Sequence, residues 1–221
     1  IYGFLLHYAL DRKVHPYVYC MEQEILKAKP FRAGEGFVHN HIEFNIDMLM
    51  LKTKLGYNDA RQFRTYETVK GDKYDIEQIA RLMQFVIKKV FDIQLEINQV
   101  EQAYYDTIKL QRFLTDDKGI KIPIISVLQA PAKLISKVSF TSMMRHKESD
   151  GKWDYLNLSH NQWFFPEDKS QKYNYDFFEL YNMALEDAVY LIKGFNDVLS
   201  SSDNMAEVTG DISFLNGLPV K

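Results

Sequence analysis

The chain has a single cysteine, Cys20, which rules out an intrachain disulfide framework. A lone thiol reads as a small buried hydrophobe and is compatible with a reducing compartment. No apolar run approaches the roughly 20 residues that a membrane-spanning helix needs, so no transmembrane segment is expected. Strong charge of either sign is missing too. The net charge of -3 gives no global drive toward nucleic acid and argues against a dedicated nucleic-acid binder. There is no internal repeat, no low-complexity tract and no Gly-rich phosphate loop. The first residues, Ile1 to Leu6, show neither an initiator Met nor a positively charged leader and already read as helix. The expectation is that upstream residues are missing and that a signal peptide would go unseen. The compartment is therefore undetermined: the cysteine usage fits the cytoplasm, and secretion is compatible with a missing N-terminus.

What is present is an ordinary globular composition, 46% hydrophobic and 26% charged over 221 residues, enough for a substantial core. One domain spanning residues 1–221 is expected. From Ile1 to Val14 apolar residues dominate all round, which predicts a buried central helix. Pro16 disfavours helical geometry at His15 and predicts an end or kink there, with a second helix from Tyr17 to about Lys27. A loop follows at Lys29 to Gly36, then a helix from Phe37 to Leu55 closed by Gly56. Asp59 to Lys73 is polar and carries no clear signal. Asp75 to Gln78 resembles a capping signal before an amphipathic helix running to Val90, and a further helix covers Asn98 to Leu114. Ile120 to Ile125 could be a strand, and Pro131 to Val138 reads as a helix. The polar, aromatic stretch Ser142 to Tyr175 reads as an ordered functional loop. Asp176 and Glu179 form a capping box for a last strong helix to about Ser200, followed by a mobile-looking turn and a short tail. The count of helices makes the class all-α, a multi-helix bundle.

The chemistry lies near the start. His7, Asp11 and His15 recur at four-residue steps and stack along one helix face, while His39 and Glu43 make a matching pair on another. Neutral imidazole and carboxylate are the donors zinc takes in catalytic sites, usually three with a position left for water. Facing helices of a bundle can bring two such faces together. The competing reading is a surface ladder of ion pairs, Asp11 with Arg12 or Lys13 and Glu43 with Lys52, each worth little. Against it, the neighbours of His7 are apolar, and an unpaired Asp in an apolar setting needs a cation or a partner. Asp47 continues the second face by one turn and reads either as a carboxylate orienting a histidine or as an exposed charge. His41 reads as structural or exposed, His146 as solvated, and His160 as a loop anchor, with an approach to the site left open.

The stretch Gly3-Phe4-Leu5-Leu6-His7-Tyr8-Ala9-Leu10-Asp11, then His15-Pro16-Tyr17, then His39-x-x-x-Glu43 with Asp47, resembles the zinc-dependent phospholipase C family. The later Asn157 to Pro166 and the tail Phe214-Leu215-Asn216-Gly217-Leu218 resemble its bacterial members. The resemblance implies an all-helical fold and a phosphodiester hydrolase with up to three zinc ions, a fold and cluster shared with the S1/P1-type nucleases. It implies His7 as a ligand of one zinc, Asp11 as a bridging carboxylate, and His15, His39 and Glu43 as the set completed within this chain. The family's upstream ligands and general base have no counterpart here, so no catalytic side chain is assigned. In the resembled enzymes the histidine after the bridging Asp lies beyond a proline, whereas His15 precedes Pro16. The implied partner is a phospholipid or another small phosphodiester, and peripheral membrane contact is left open. Nucleic acid also remains open, because aromatics such as Tyr155 and Trp163 can hold single strands. A third reading is a noncatalytic helical protein with one zinc site.

Overall fold

The computed structural model describes residues 1–28, 35–130, 140–201 and 204–220. Among them the chain is all-α, with eight helices in order: α1 Tyr2–Ala28, α2 Glu35–Leu55, α3 Thr65–Thr68, α4 Lys73–Phe91, α5 Ile97–Leu114, α6 Lys121–Leu128, α7 Phe177–Ser200 and α8 Met205–Thr209. A small antiparallel hairpin, β1 Trp163–Phe165 with β2 Asp168–Tyr173, precedes α7. The chain divides into two compact units, one of Ile1–Leu49 with Ser149–Lys221 and one of Met50–Glu148.

In the first unit α1 and α7 pack through small residues. Ala9 and Ala188 are fully or almost fully buried beside Leu191, so the backbones approach closely, with Tyr8 and Val208 closing the cluster. A partly buried ion pair ties the same two helices: the Arg12 guanidinium donates to both carboxylate oxygens of Asp187 at 2.5 Å and to the Thr209 carbonyl at 2.9 Å. Further along α1, the Tyr17 hydroxyl donates to the Tyr155 carbonyl at 3.0 Å, and its ring meets Trp163 edge-on. Trp163 in turn donates from its indole to Tyr175 O at 3.1 Å, which fastens the hairpin ahead of α7.

Several sequence expectations need correction. Pro16 neither ends nor divides the first helix; α1 is one element of 27 residues with Pro16 inside it. Buried contacts at Val14 to Val18 hold the helix through the proline, and the expected second helix is its continuation. The missing N–H of Pro16 leaves the Arg12 carbonyl without its in-helix donor. Gly217, with φ +70°, passes so close that a β-carbon there would lie 2.8 Å from that carbonyl oxygen. Nor is the start of α1 buried: Ile1, Tyr2, Phe4 and Leu6 are exposed, and burial concentrates from Val14 to Met21.

In the second unit the cap of α4 is Asp72, with Asp75 completing a capping box rather than opening it. The apparently featureless Asp59 to Lys73 contains α3 and the buried Ala60 and Tyr66. The isoleucine-rich stretch open to a strand reading is helix α6; Pro123 sits in its first turn, where its lack of an N–H costs nothing. The expected helix Pro131 to Val138 and most of the loop Lys29 to Gly36 lie outside the described residues, but Glu35 and Gly36 belong to α2. Gly56 does close α2, with φ +71° and its N–H on Lys52 O. Asp176 and Glu179 do form the capping box of α7. Beyond α7 the expected short tail contains α8 and a bridge between Ile212 and Pro219.

The Asp154 carboxylate anchors the loop between Asp150 and Ser159. Burial pushes the Asp154 carboxyl up, but the N–H groups of Ser159 and Leu158 bind it and the net shift is down. A depressed carboxylate contributes stability that is complete above its unfolded value of about 3.9 and is lost as pH falls through the folded value. The urea midpoint is therefore expected to fall on acidification below about pH 4, and to fall less in Asp154→Asn, in denaturation curves taken across that range.

Candidate metal centre

The first unit brings the two sequence-spaced faces together. Along α1, His7 Nε2 lies 3.2 Å from Asp11 Oδ2, and Asp11 Oδ1 lies 3.9 Å from His15 Nε2. Exposure falls steeply down this ladder: the His7 side chain is 70% exposed and that of His15 only 11%. The apolar neighbours of His7 in sequence do not bury it, since successive residues of a helix point in different directions. On α2, His39 Nε2 is 3.1 Å from Glu43 Oε1, and the same oxygen is 3.4 Å from His15 Nε2. His15, His39 and Glu43 each offer a ligand atom, and these lie within 4.8 Å of one another. The ion-pair ladder does not describe this face. Arg12 turns to Asp187, and Glu43 faces two histidines.

Groups around the three fix their orientation. His15 Nδ1 sits 2.7 Å from the Phe214 carbonyl oxygen. A carbonyl only accepts, so Nδ1 carries hydrogen, a tautomer assigned from the partner. In the neutral ring Nε2 then points its lone pair at the Glu43 carboxylate. Lone pair against carboxylate is repulsive unless a cation, a proton or a metal ion, lies between them. His39 Nδ1 is buried with the Glu22 Oε2 atom 3.7 Å away, beyond hydrogen-bond length, so Glu22 sets a negative charge behind the ring without bonding it. The Tyr19 ring leans on both imidazoles, 4.7 Å from His39 and 5.8 Å from His15 between ring centres.

The electrostatics follow from this crowding. Burial pushes the His15 pKa down, but its bond to Glu43, the charge of Asp11 and the Phe214 carbonyl outweigh it, and the net shift is up. Burial likewise works to raise Glu43, but its bonds to His15 and His39 pull it down to about 2. Asp11 moves up because burial outweighs the nearby histidines.

The donor set fits zinc in kind, and the two separations at Glu43 fit its spacing. Two imidazole nitrogens and a carboxylate oxygen are a catalytic zinc set. Ligand atoms about 2.0–2.1 Å from a tetrahedral centre are roughly 3.3 Å apart, and the distances of 3.1 and 3.4 Å at Glu43 Oε1 straddle that value. Both exceed the roughly 2.7–2.9 Å of a good charge-assisted hydrogen bond. Beside the set lies a cavity of about 290 Å³ whose wall includes His7, Asp11, Asn40, Phe44, Asp47 and Phe177. Asp47 is exposed on that wall.

The other histidines lie elsewhere. His41 Nε2 meets Asp150 at 3.2 Å and the Tyr155 hydroxyl at 3.3 Å, a structural bond beside the buried Asn45. His146 is exposed, and its ring nitrogen meets the Thr141 carbonyl. His160, at φ +49°, anchors its loop on the Asn174 carbonyl at 3.1 Å. It also meets Asp176 and Glu179 in a second, exposed group of potential ligands, whose carboxylates already cap α7. Sequence reasoning missed Glu22, Tyr19 and the Phe214 carbonyl. Glu22 and Tyr19 lie on the far side of Pro16, where a separate helix was expected, and a backbone carbonyl leaves no mark in sequence. No family model, curated protein or solved structure matches the chain.

Proposed function

We propose that His15, His39 and Glu43 hold a zinc ion, that His7 and Asp11 serve a neighbouring metal position, and that the chain is a zinc-dependent phosphodiester hydrolase of the phospholipase C kind. Phospholipid or another small phosphodiester is the substrate class. One observation carries the metal reading: His15 Nε2, its tautomer set by the Phe214 carbonyl, faces Glu43 Oε1 at 3.4 Å across a gap that suits a cation. Held by His15, His39 and Glu43, a zinc ion would supply water of lowered pKa and a positive charge for the phosphoryl oxygens. The chain's own groups set the stage. Glu22 sets a negative charge behind His39, Phe214 holds His15, and the cavity lined by Asn40, Phe44 and Phe177 gives a phosphodiester room beside the set. Glu43, with 43% of its side chain exposed, is the ligand on the open side.

A noncatalytic protein with one zinc site is the second reading. It is favoured by the fact that only one three-ligand group is found on the α1 and α2 faces among the described residues, His7 and Asp11 offering two donors. Metal analysis of the purified chain, paired with hydrolysis of a chromogenic phosphodiester with and without added zinc, separates the cases. The expected result is at least one zinc per chain and zinc-dependent turnover. One zinc without turnover favours the second reading, and a chain that retains no zinc overturns both.

A further inference from the structure

The second unit carries a different kind of surface. Of the chain's Lys and Arg residues, 17 fall within residues 50–148 against 12 Asp and Glu, a net +5 in a protein whose total is -3. The remainder is therefore at -8. Within the unit the bias sharpens further. From Lys118 to Lys147 there are six Lys and Arg residues and no acidic residue at all.

Helix α6 lies in this acid-free stretch and is apolar throughout apart from Lys121 and Ser126. Ile120, Ile124, Val127 and Leu128 follow the i, i+4, i+7, i+8 spacing of one helix face, and they are 55%, 54%, 74% and 73% exposed. Clustered large aliphatics at such exposure mark an interaction surface rather than chance exposure. The helix is held in place from behind: Lys121 Nζ donates to the carbonyls of Arg112, Phe113 and Thr115, and the Asp116 carboxylate accepts from the N–H groups of Ile120, Lys121 and Ile122. Its apolar face is thus presented on a fixed base. Lys118 and Lys147 are exposed in the same stretch.

We propose that α6 docks this unit on an anionic lipid surface, its aliphatic face entering the headgroup boundary while cations of this net-positive unit, Lys118 just ahead of the helix among them, meet the lipid phosphates. No helix among the described residues is long and apolar enough to cross a membrane, so the contact is interfacial. Charge selects this occupant over a second copy of the chain, because a symmetric pair would oppose two surfaces of the same positive sign. Lipid phosphate supplies the opposite sign over an extended plane. This inference does not rest on the metal site.

The test is cosedimentation of the chain with phosphatidylcholine vesicles prepared with or without phosphatidylglycerol, read at low and at high salt. Partitioning onto the anionic vesicles is expected, with little onto pure phosphatidylcholine and a clear loss at high salt. Val127→Asp combined with Leu128→Asp is expected to reduce partitioning about tenfold or more with the circular dichroism spectrum unchanged. Lys118→Glu with Lys147→Glu, both exposed, tests the electrostatic half should the first pair disturb folding, and is expected to weaken binding severalfold. Equal binding to both vesicle types, no binding to either, or indifference to both double variants overturns the proposal. So does a lipid-free dimer that the aspartate pair converts to monomer, which would assign the face to a second copy.

Discussion

Replacing His39 by alanine is expected to lower zinc affinity by well over about 100-fold, since loss of an outer-shell partner alone typically costs 10–100-fold and His39 is proposed as a direct ligand. The substitution removes one of three convergent donors and leaves Glu22 and Glu43 without the imidazole that each of them faces. Competition against a chromophoric chelator measures the effect directly. His41→Ala is the matched control on the same helix. Its ring bonds Asp150 and Tyr155 rather than the proposed ligands, so its loss should lower the melting temperature and leave zinc affinity within a factor of a few. If the two variants bind zinc alike, the assignment of His39 fails. Glu22→Gln should fall between them, since it keeps shape and removes only the charge behind the ring.

Arg12→Ala is expected to be the most destabilising single change in the first unit. It leaves the Asp187 carboxylate without its two guanidinium bonds and the Thr209 carbonyl without its donor. Breaking one side of a buried ion pair costs about 3–5 kcal/mol, because the remaining charge keeps its desolvation penalty. For a chain of this size that corresponds to a fall in melting temperature on the order of 10 °C by scanning calorimetry. Arg12→Lys should recover only part of it, since an ammonium cannot span both carboxylate oxygens. A fall of only one or two degrees would mean that Ala9, Ala188 and Leu191 hold α1 on α7 unaided.

The long helices could be read from the sequence because their signals are local. The Asp176–Glu179 capping box, the Gly56 stop and the apolar period from Ile76 to Val90 each lie within a few turns of the element they define. The errors came where packing overrode a local rule. Pro16 breaks a helix judged by itself, yet it lies between the buried residues His15 and Tyr17, and their contacts carry α1 through it. The hairpin β1–β2 was hidden because β2, Asp-Lys-Ser-Gln-Lys-Tyr, is exposed along nearly its whole length and so carries no alternation. The site divides the same way. Spacing placed His7, Asp11 and His15 on one face and His39 with Glu43 on another, since a helix turns four-residue steps into neighbours. Which groups stand behind the histidines depends on contacts 17 and 199 residues apart, and no spacing rule reaches that far.

Those long separations bear on when the site becomes competent. Gly217 passes close to the Arg12 carbonyl one turn before Pro16, and the same tail brings Phe214 O to His15. A nascent chain with α1 and α2 already emerged therefore has every proposed ligand side chain but lacks the group that sets the His15 tautomer. Binding of the proposed metal would accordingly wait until residues 214–217 have folded back onto α1.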